Sequence, residues 1–347
     1  MIYTIDLTGT PKQMGEMHGE QFKTQIKELA EIRKHLISTF LTDFKSQEIR
    51  ELCQKQILFL KQYDDLYLEL EGISRSSGTT LEDLIILNNY TDMRDFTRNS
   101  LLSFSDEGCS VVGVKSKNNF FVGQTWDMHA SAEDYTLHMK IGGDHVLSLV
   151  GCLGLAGVNQ KNVSVLINNL HCKETKIGLI WPALVRLILK ANNAKEAIQS
   201  LTHHLPCSGH NYLISDSEMM ANFETTGKRF IKTNDISSEG IIYHTNHYTS
   251  DLKETENAAR RSKTTDIRYS AIKNYFEKND YSSFQFKNLT EDLLGGKVAN
   301  AVCIARPSKE RPHDPSTCGG IAFDLKNRKG VLFKGLFFDG EVKEISW

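Results

Sequence analysis

Apolar side chains recur at helical spacing through the first hundred residues. Phe22, Ile26, Leu29, Ile32, Leu36 and Phe40 fall every three or four positions, as one face of a long helix requires. Thr10-Pro11 stands ahead of them as an N-cap and first helical residue. A second helical stretch is expected over about 49–73. The segment SSGTTLEDLIILNNY follows, with Thr79 and Glu82 at capping-box spacing before another apolar helix. From Cys109 onward the pattern changes to short β-rich runs divided by polar turns: CSVVGV, FFVGQTW, TLHMKI, HVLSLVG, VSVLINN, NYLISD, GIIYHT, AVCIA, GGIAFDL and GVLFKGL. Among them, PALVRLILKANNAKEAIQSL reads as two helices broken near Asn192-Asn193, and residues 262–278 as one more. Strands far outnumber βαβ alternations, which predicts an α+β protein with largely antiparallel sheets. The sequence contains no GxGxxG, no P-loop and no internal repeat.

Composition narrows the class. A chain of 347 residues suits one large domain or two intimate ones. Its 41 Lys+Arg against 43 Asp+Glu give no support to a nucleic-acid or polybasic membrane partner. The opening MIYTIDLTGTPKQMGE lacks the basic and apolar regions of a secretory signal, and no uncharged apolar run reaches the roughly 20 residues of a membrane span. Seven scattered cysteines fit reduced thiols better than a disulfide scaffold, so the expectation is a soluble cytoplasmic protein.

One stretch concentrates candidate chemistry. SDEGCSVVGVKSKNNFFVGQTWDM places Cys109 and Asp127 at the two ends of a hairpin. A three-residue loop, Lys117-Asn118-Asn119, would pair Ser116 with Phe120 and set Cys109 opposite Asp127, with Asn119 at positive φ. A two-residue turn would slip the register by one and put the two side chains on opposite faces. Spacing alone therefore permits a Cys–Asp neighbourhood without requiring one, and most buried cysteines are inert small apolar residues.

Gly108-Cys109-Ser110, a strand, a turn and then GQTWD together resemble the acyl-coenzyme A:6-aminopenicillanate acyltransferase family of N-terminal-nucleophile (Ntn) hydrolases, with bile-salt and penicillin V hydrolases as more distant cousins. GTPKQMGEMHGEQ, LELEGISRSSGTTLEDLIILNNYTD, GVNQKNVSVLINNL, GHNYLISD with the later Phe223-Glu224, HTNHY and TTDIRYSAI resemble that family's successive segments in order. The resemblance implies a four-layer αββα Ntn sandwich, with residues 1–108 as a helical N-terminal segment and 109–347 as the catalytic segment after self-cleavage at Gly108-Cys109. It implies Cys109 as the nucleophile, Asp127 as the carboxylate that orients the freed α-amine, Asn246 as the side-chain amide of the oxyanion hole, and Arg268 as the arginine supporting the nucleophile. Asn168, or its neighbour Asn169, matches a further polar residue near the oxyanion. The expected activity is cleavage or transfer of an acyl group at a linear N-acyl amide through a thioester. The implied partners are that small-molecule substrate and the protein's own cleaved chain as an αβ heterodimer. No metal or organic cofactor is implied. The chain departs from the distant bile-salt hydrolases in carrying Gln124 where they have arginine. It also has Asn162 at a turn the family usually makes with glycine, and asparagine tolerates the positive φ such a turn needs.

Other constellations compete. HHLPCSGH offers His203, His204, Cys207 and His210, with His244 and His247 further on, but without the paired short spacings of a zinc site. A Cys–His thiol hydrolase that does not cut itself, and a silent binding protein of the same fold, are the alternative readings.

Overall fold

The computed structural model describes residues 1–41, 45–96, 108–297, 302–304, 307 and 310–347. Two sheets face each other. The first has the spatial order Tyr3–Leu7, Thr136–Ile141, Asp144–Leu149, Ala156–Val158, Ser164–Leu170, Gly209–Ser215, Met220–Thr225 and Phe230–Ile236. The second runs Gly240–His244, Gly108–Lys115, Phe120–His129, Pro315–Asp324, Lys329–Lys334 and Glu341–Ser346. Their pairings are antiparallel apart from Tyr3–Leu7 against Thr136–Ile141, which is parallel. The N-terminal segment, expected to be helical, thus also supplies an edge strand.

Side-chain alternation along the strands builds the layers. Val111, Phe120 and Val122 of the second sheet meet Leu147, Leu166 and Leu213 of the first. On the second sheet's other face, Val112, Val114 and Phe121 pack on Ile272 and Tyr275 of the helix Thr265–Lys278. The first sheet's outer face buries Leu137, Met139 and Val165 against Ile26, Leu29, Leu70, Ile73 and Ile188 of the helices. The result is the expected αββα sandwich.

The N-terminal helices depart from their expected bounds in instructive ways. Thr10 caps Pro11–Gln21 in a capping box with Gln13. Buried Phe22 then leaves helical geometry, so the apolar stripe from Phe22 through Leu36 runs on along a second helix, Lys23–Phe40; the side chain of Phe40 lies outside the described residues. The stretch expected over 49–73 is two helices, Ser46–Leu60 and Asp64–Ser77, because Tyr63 breaks the backbone and Asp64 and Asp65 favour a new N-terminus. The cap of the next helix is Thr80, which accepts from the Asp83 N–H at 3.1 Å, and not Thr79. The two helices broken near Asn192-Asn193 are Trp181–Ile188 and Ala194–His203. The run 301–305 has both ends outside the described residues, and 302–304 is not strand.

Backbone-to-backbone packing ties the helices Pro11–Gln21 and Asp64–Ser77 together. A Cβ on Gly15 would lie 2.0 Å from the Glu69 carbonyl oxygen, and one on Gly72 would lie 2.5 Å from that of Lys12. Glu69 then accepts both guanidinium donors of buried Arg186, at 2.6 and 2.9 Å, pinning this helix pair to the layer that covers the first sheet.

Candidate active site

The hairpin Gly108–His129 closes in the tighter of its two possible forms. The Ser116 N–H donates to the Asn119 carbonyl at 2.8 Å, and the Asn119 N–H donates to Ser116 Oγ at 3.2 Å. Lys117-Asn118 is therefore a two-residue turn. The serine hydroxyl satisfies an N–H that the wider loop would have left to backbone, and Asn119 needs no positive φ. Lys115 consequently pairs with Phe120, Cys109 with Trp126 and Gly108 with Asp127. Of the two turns the spacing allowed, the structure adopts the two-residue one, and Cys109 does not pair with Asp127. Asn162, by contrast, adopts φ 67°, the left-handed turn expected of it.

Alternation sends the Cys109 side chain between the sheets, into a cluster with Trp126, and the Asp127 side chain to the other face. There the Thr317 hydroxyl donates to Asp127 Oδ1 at 2.7 Å, while buried Oδ2 has no hydrogen-bond partner among the described residues. Thr317 has no sequence signal; the strand Pro315–Asp324 brings it alongside from 190 positions away.

Around the Cys109 backbone the geometry is dense. Its N–H donates to Asn246 Oδ1 at 2.8 Å, an acceptor role that had been expected of Asp127. Its carbonyl accepts from Arg268 Nη1 at 2.7 Å and from Asn168 Nδ2 at 2.9 Å. Arg268 Nη2 also donates to Asn246 Oδ1 at 2.7 Å. With two donors on its oxygen, the Asn246 amide has one orientation, and its Nδ2 donates to the Asn169 carbonyl at 2.9 Å. Gly108 fits because it has no side chain: a Cβ there would stand 2.4 Å from both Arg268 Nη2 and Asn246 Oδ1.

These side chains come from separate elements. Asn168 lies on the first-sheet strand Ser164–Leu170 and is itself held by Asn211, whose Nδ2 reaches its Oδ1 at 2.9 Å. Asn246 lies in the loop after Gly240–His244, its N–H bonded to Thr265 Oγ1 at 2.8 Å. Fully buried Arg268 projects from the first turns of Thr265–Lys278. Asn169, the alternative to Asn168, instead lines the cleft.

That cleft, about 450 Å³ when counted out to solvent, opens over the thiol. Trp126, Met128, Leu155, Ile167 and Trp181 make its apolar wall, and Arg94, Asn169 and His210 are among its polar members. Gln124 lines it too, its Oε1 occupied by the Ile167 N–H at 2.8 Å.

Electrostatics keep the thiol protonated. Burial, then the Asp127 carboxylate, push Cys109 up to about 12, against the opposing pull of Arg268 and the main-chain N–H groups of Asp127 and Asn169. Burial raises Asp127 to about 6, with Arg268 and Thr317 resisting. A base is therefore needed before this sulfur can attack at neutral pH.

The histidines of the competing constellation disperse. His210 faces Asp92 at 3.3 Å, and burial lowers it to about 3. Cys207 Sγ donates to Asp92 Oδ2 at 3.0 Å. His244 pairs with Glu224, His247 bonds Thr265, and His203 bonds its own helix. Among the described residues no group of three or more His, Cys, Asp or Glu side chains is arranged to hold a metal. No helix among them is long and apolar enough to cross a membrane.

Two facing sheets with helices outside both define a four-layer αββα sandwich, with a strand-end cysteine held by asparagines and arginine. Residues 114–329 match the family described as acyl-coenzyme A:6-aminopenicillanic acid acyl-transferase, more than half of the chain, and the protein belongs to that family. The matched span contains Asp127, Asn168, Asn246 and Arg268 and begins just beyond Cys109. Among solved structures, the chain is similar to a conjugated bile acid hydrolase from Clostridium perfringens. Two variants of it show 13 and 14% identity and a TM-score of 0.45, covering 69% of this chain and 92% of that one. A penicillin V acylase from Agrobacterium tumefaciens gives 13% identity and a TM-score of 0.38, over 69% of this chain and 86% of that one. No curated protein matches the sequence.

Proposed function

We propose that this protein is a self-processing N-terminal-cysteine amidohydrolase or acyltransferase acting on linear N-acyl amides. The cradle around the Gly108-Cys109 peptide carries this reading: its N–H lies on Asn246 Oδ1 at 2.8 Å and no side chain fits at Gly108. In the uncut chain the Cys109 thiol attacks the Gly108 carbonyl carbon. The C–N bond breaks as the nitrogen takes a proton, and Gly108 is left on sulfur as a thioester. Water then releases Gly108 as a carboxylic acid and restores the thiol. The freed α-amine, with an ordinary pKa of about 7.7–8, now supplies the base that a thiol near 12 lacks.

In turnover that amine takes the thiol proton while sulfur attacks the substrate amide carbonyl. Asn246 Nδ2, with the Asn169 main-chain N–H beside the sulfur, stabilises the oxyanion. Collapse expels the amine leaving group, protonated by the α-ammonium, and leaves an acyl thioester. Water or an acceptor amine then takes the acyl group. Asn246 Oδ1 holds the Cys109 nitrogen before cleavage, and Asp127 Oδ2, free of hydrogen bonds among the described residues, would take the new ammonium once the freed amine turns towards it. The apolar wall of Trp126, Met128, Ile167 and Trp181 suits an apolar acyl group.

Denaturing electrophoresis with N-terminal sequencing tests the proposal. Wild type should yield two chains, the larger beginning Cys-Ser-Val-Val-Gly, and Cys109→Ala should stay whole, folded and inactive. One full-length wild-type band that still cleaves an amide would overturn self-processing.

A further inference from the structure

Glu224 lies on the first sheet and is fully buried, yet its carboxylate accepts five hydrogen bonds. Oε1 takes the Thr249 N–H at 2.7 Å, the Thr249 hydroxyl at 2.6 Å and His244 Nε2 at 2.8 Å. Oε2 takes the Ser250 N–H at 3.0 Å and the Ser250 hydroxyl at 2.5 Å. His244 Nδ1 lies 2.7 Å from the Thr245 carbonyl, which can only accept. The imidazole is thus held between the Glu224 carboxylate and the Thr245 carbonyl, with Nε2 donating to Glu224.

The donors bracket Asn246. His244 is the last residue of a second-sheet strand, and Thr249-Ser250 close the loop that follows it. One carboxylate from the opposite sheet thus holds the loop at both ends, with Asn246 between. The Asn246 N–H on Thr265 and the Thr245 hydroxyl on the Thr265 carbonyl hold its middle to the helix Thr265–Lys278.

We propose that Glu224 is a positioning residue for catalysis: by stapling His244 to Thr249-Ser250 it sets where the Asn246 amide meets the reacting carbonyl. This rests on the oxyanion role proposed for Asn246. Burial raises the Glu224 carboxyl, but His244, Ser250 and Thr249 outweigh it and bring the group down to about 2, so the staple stays charged across the working range.

Glu224→Gln tests this, because the Gln NH₂ must confront the Thr249 N–H or the Ser250 N–H whichever way the amide turns. In the processed enzyme kcat should fall about tenfold, with KM within about twofold. In an Asn246→Ala background the same change should cost less than about twofold in kcat, although the fall in Tm is the same in both backgrounds. An equal loss of kcat in both backgrounds, or none in wild type, would overturn the proposal. Should Glu224→Gln not fold, Thr249→Val removes one hydroxyl from the staple, and its smaller loss of kcat must likewise vanish with Asn246. If wild type turns over no amide at all, the catalytic reading fails by itself. Proton exchange at the Asn246 side-chain amide then decides the staple, quickening in Glu224→Gln if it holds and unchanged if it does not.

Discussion

Arg268 Nη2 donates to Asn246 Oδ1 at 2.7 Å, and the same oxygen accepts the Cys109 N–H at 2.8 Å. The arginine thus orients the asparagine, so that its amide nitrogen, already giving one hydrogen to the Asn169 carbonyl, has its second for the oxyanion proposed above.

Asn246→Ala removes that donor. The expected outcome is a loss of roughly 10²–10³ in kcat, read from steady-state kinetics on any N-acyl amide the wild type cleaves, with a fall in stability of about 1–3 kcal/mol because buried Arg268 Nη2 and the Asn169 carbonyl lose their partner. Unchanged kcat would remove Asn246 from the oxyanion site.

Arg268→Lys should behave as a severe change. The guanidinium reaches the Cys109 carbonyl, Ser110 Oγ, Asn246 Oδ1 and Thr264 Oγ1 at once, which a single ammonium cannot do. Self-cleavage should slow at least tenfold, and stability should fall by about 1–3 kcal/mol, since buried acceptors lose their donors. A cleavage time course and a urea melt measure the two effects.

Gly108→Ala should leave a folded chain that does not cut itself. The new methyl would come within 2.4 Å of both Arg268 Nη2 and Asn246 Oδ1, forcing apart the groups that hold the scissile peptide. Processing at the wild-type rate, followed on a gel, would mean that the cradle has no part in cleavage.

Asp127 predicts opposite effects on stability and activity. Its folded value of about 6 lies above the ordinary 3.8, so the folded state binds the proton more tightly than the unfolded one. The resulting stability is fully present below about 3.8 and is lost as pH rises through about 6. In the uncut Cys109→Ala chain, where no ammonium faces the carboxylate, Asp127→Asn should therefore raise Tm at pH 7–8 and much less at pH 4, while in the self-processing enzyme it should abolish efficient turnover. Thermal melts at both pH values, with activity at pH 7.5, check both halves; a lower Tm at pH 7.5 would contradict the buried-charge account.

Much of this protein is legible in its sequence, for local reasons. Helical periodicity from Phe22 to Leu36, capping at Thr10, the Asn192-Asn193 break and the positive φ of Asn162 depend on near neighbours, and each stands in the structure. The order of motifs around Gly108-Cys109, GQTWD and HTNHY identified the family without any coordinates. What sequence spacing left undecided was register, since a shift of one residue changes the face of every side chain. The Ser116 hydroxyl settled it by closing a two-residue turn, which placed Gly108 rather than Cys109 opposite Asp127. Tertiary structure alone decided the polar partners: Thr317 on Asp127, Thr265 on Asn246 and Glu224 across the sheets. Hydroxyls and carboxylates leave no periodic trace in a chain. Their roles arise only when strands and helices distant in sequence bury them beside groups that must be hydrogen-bonded.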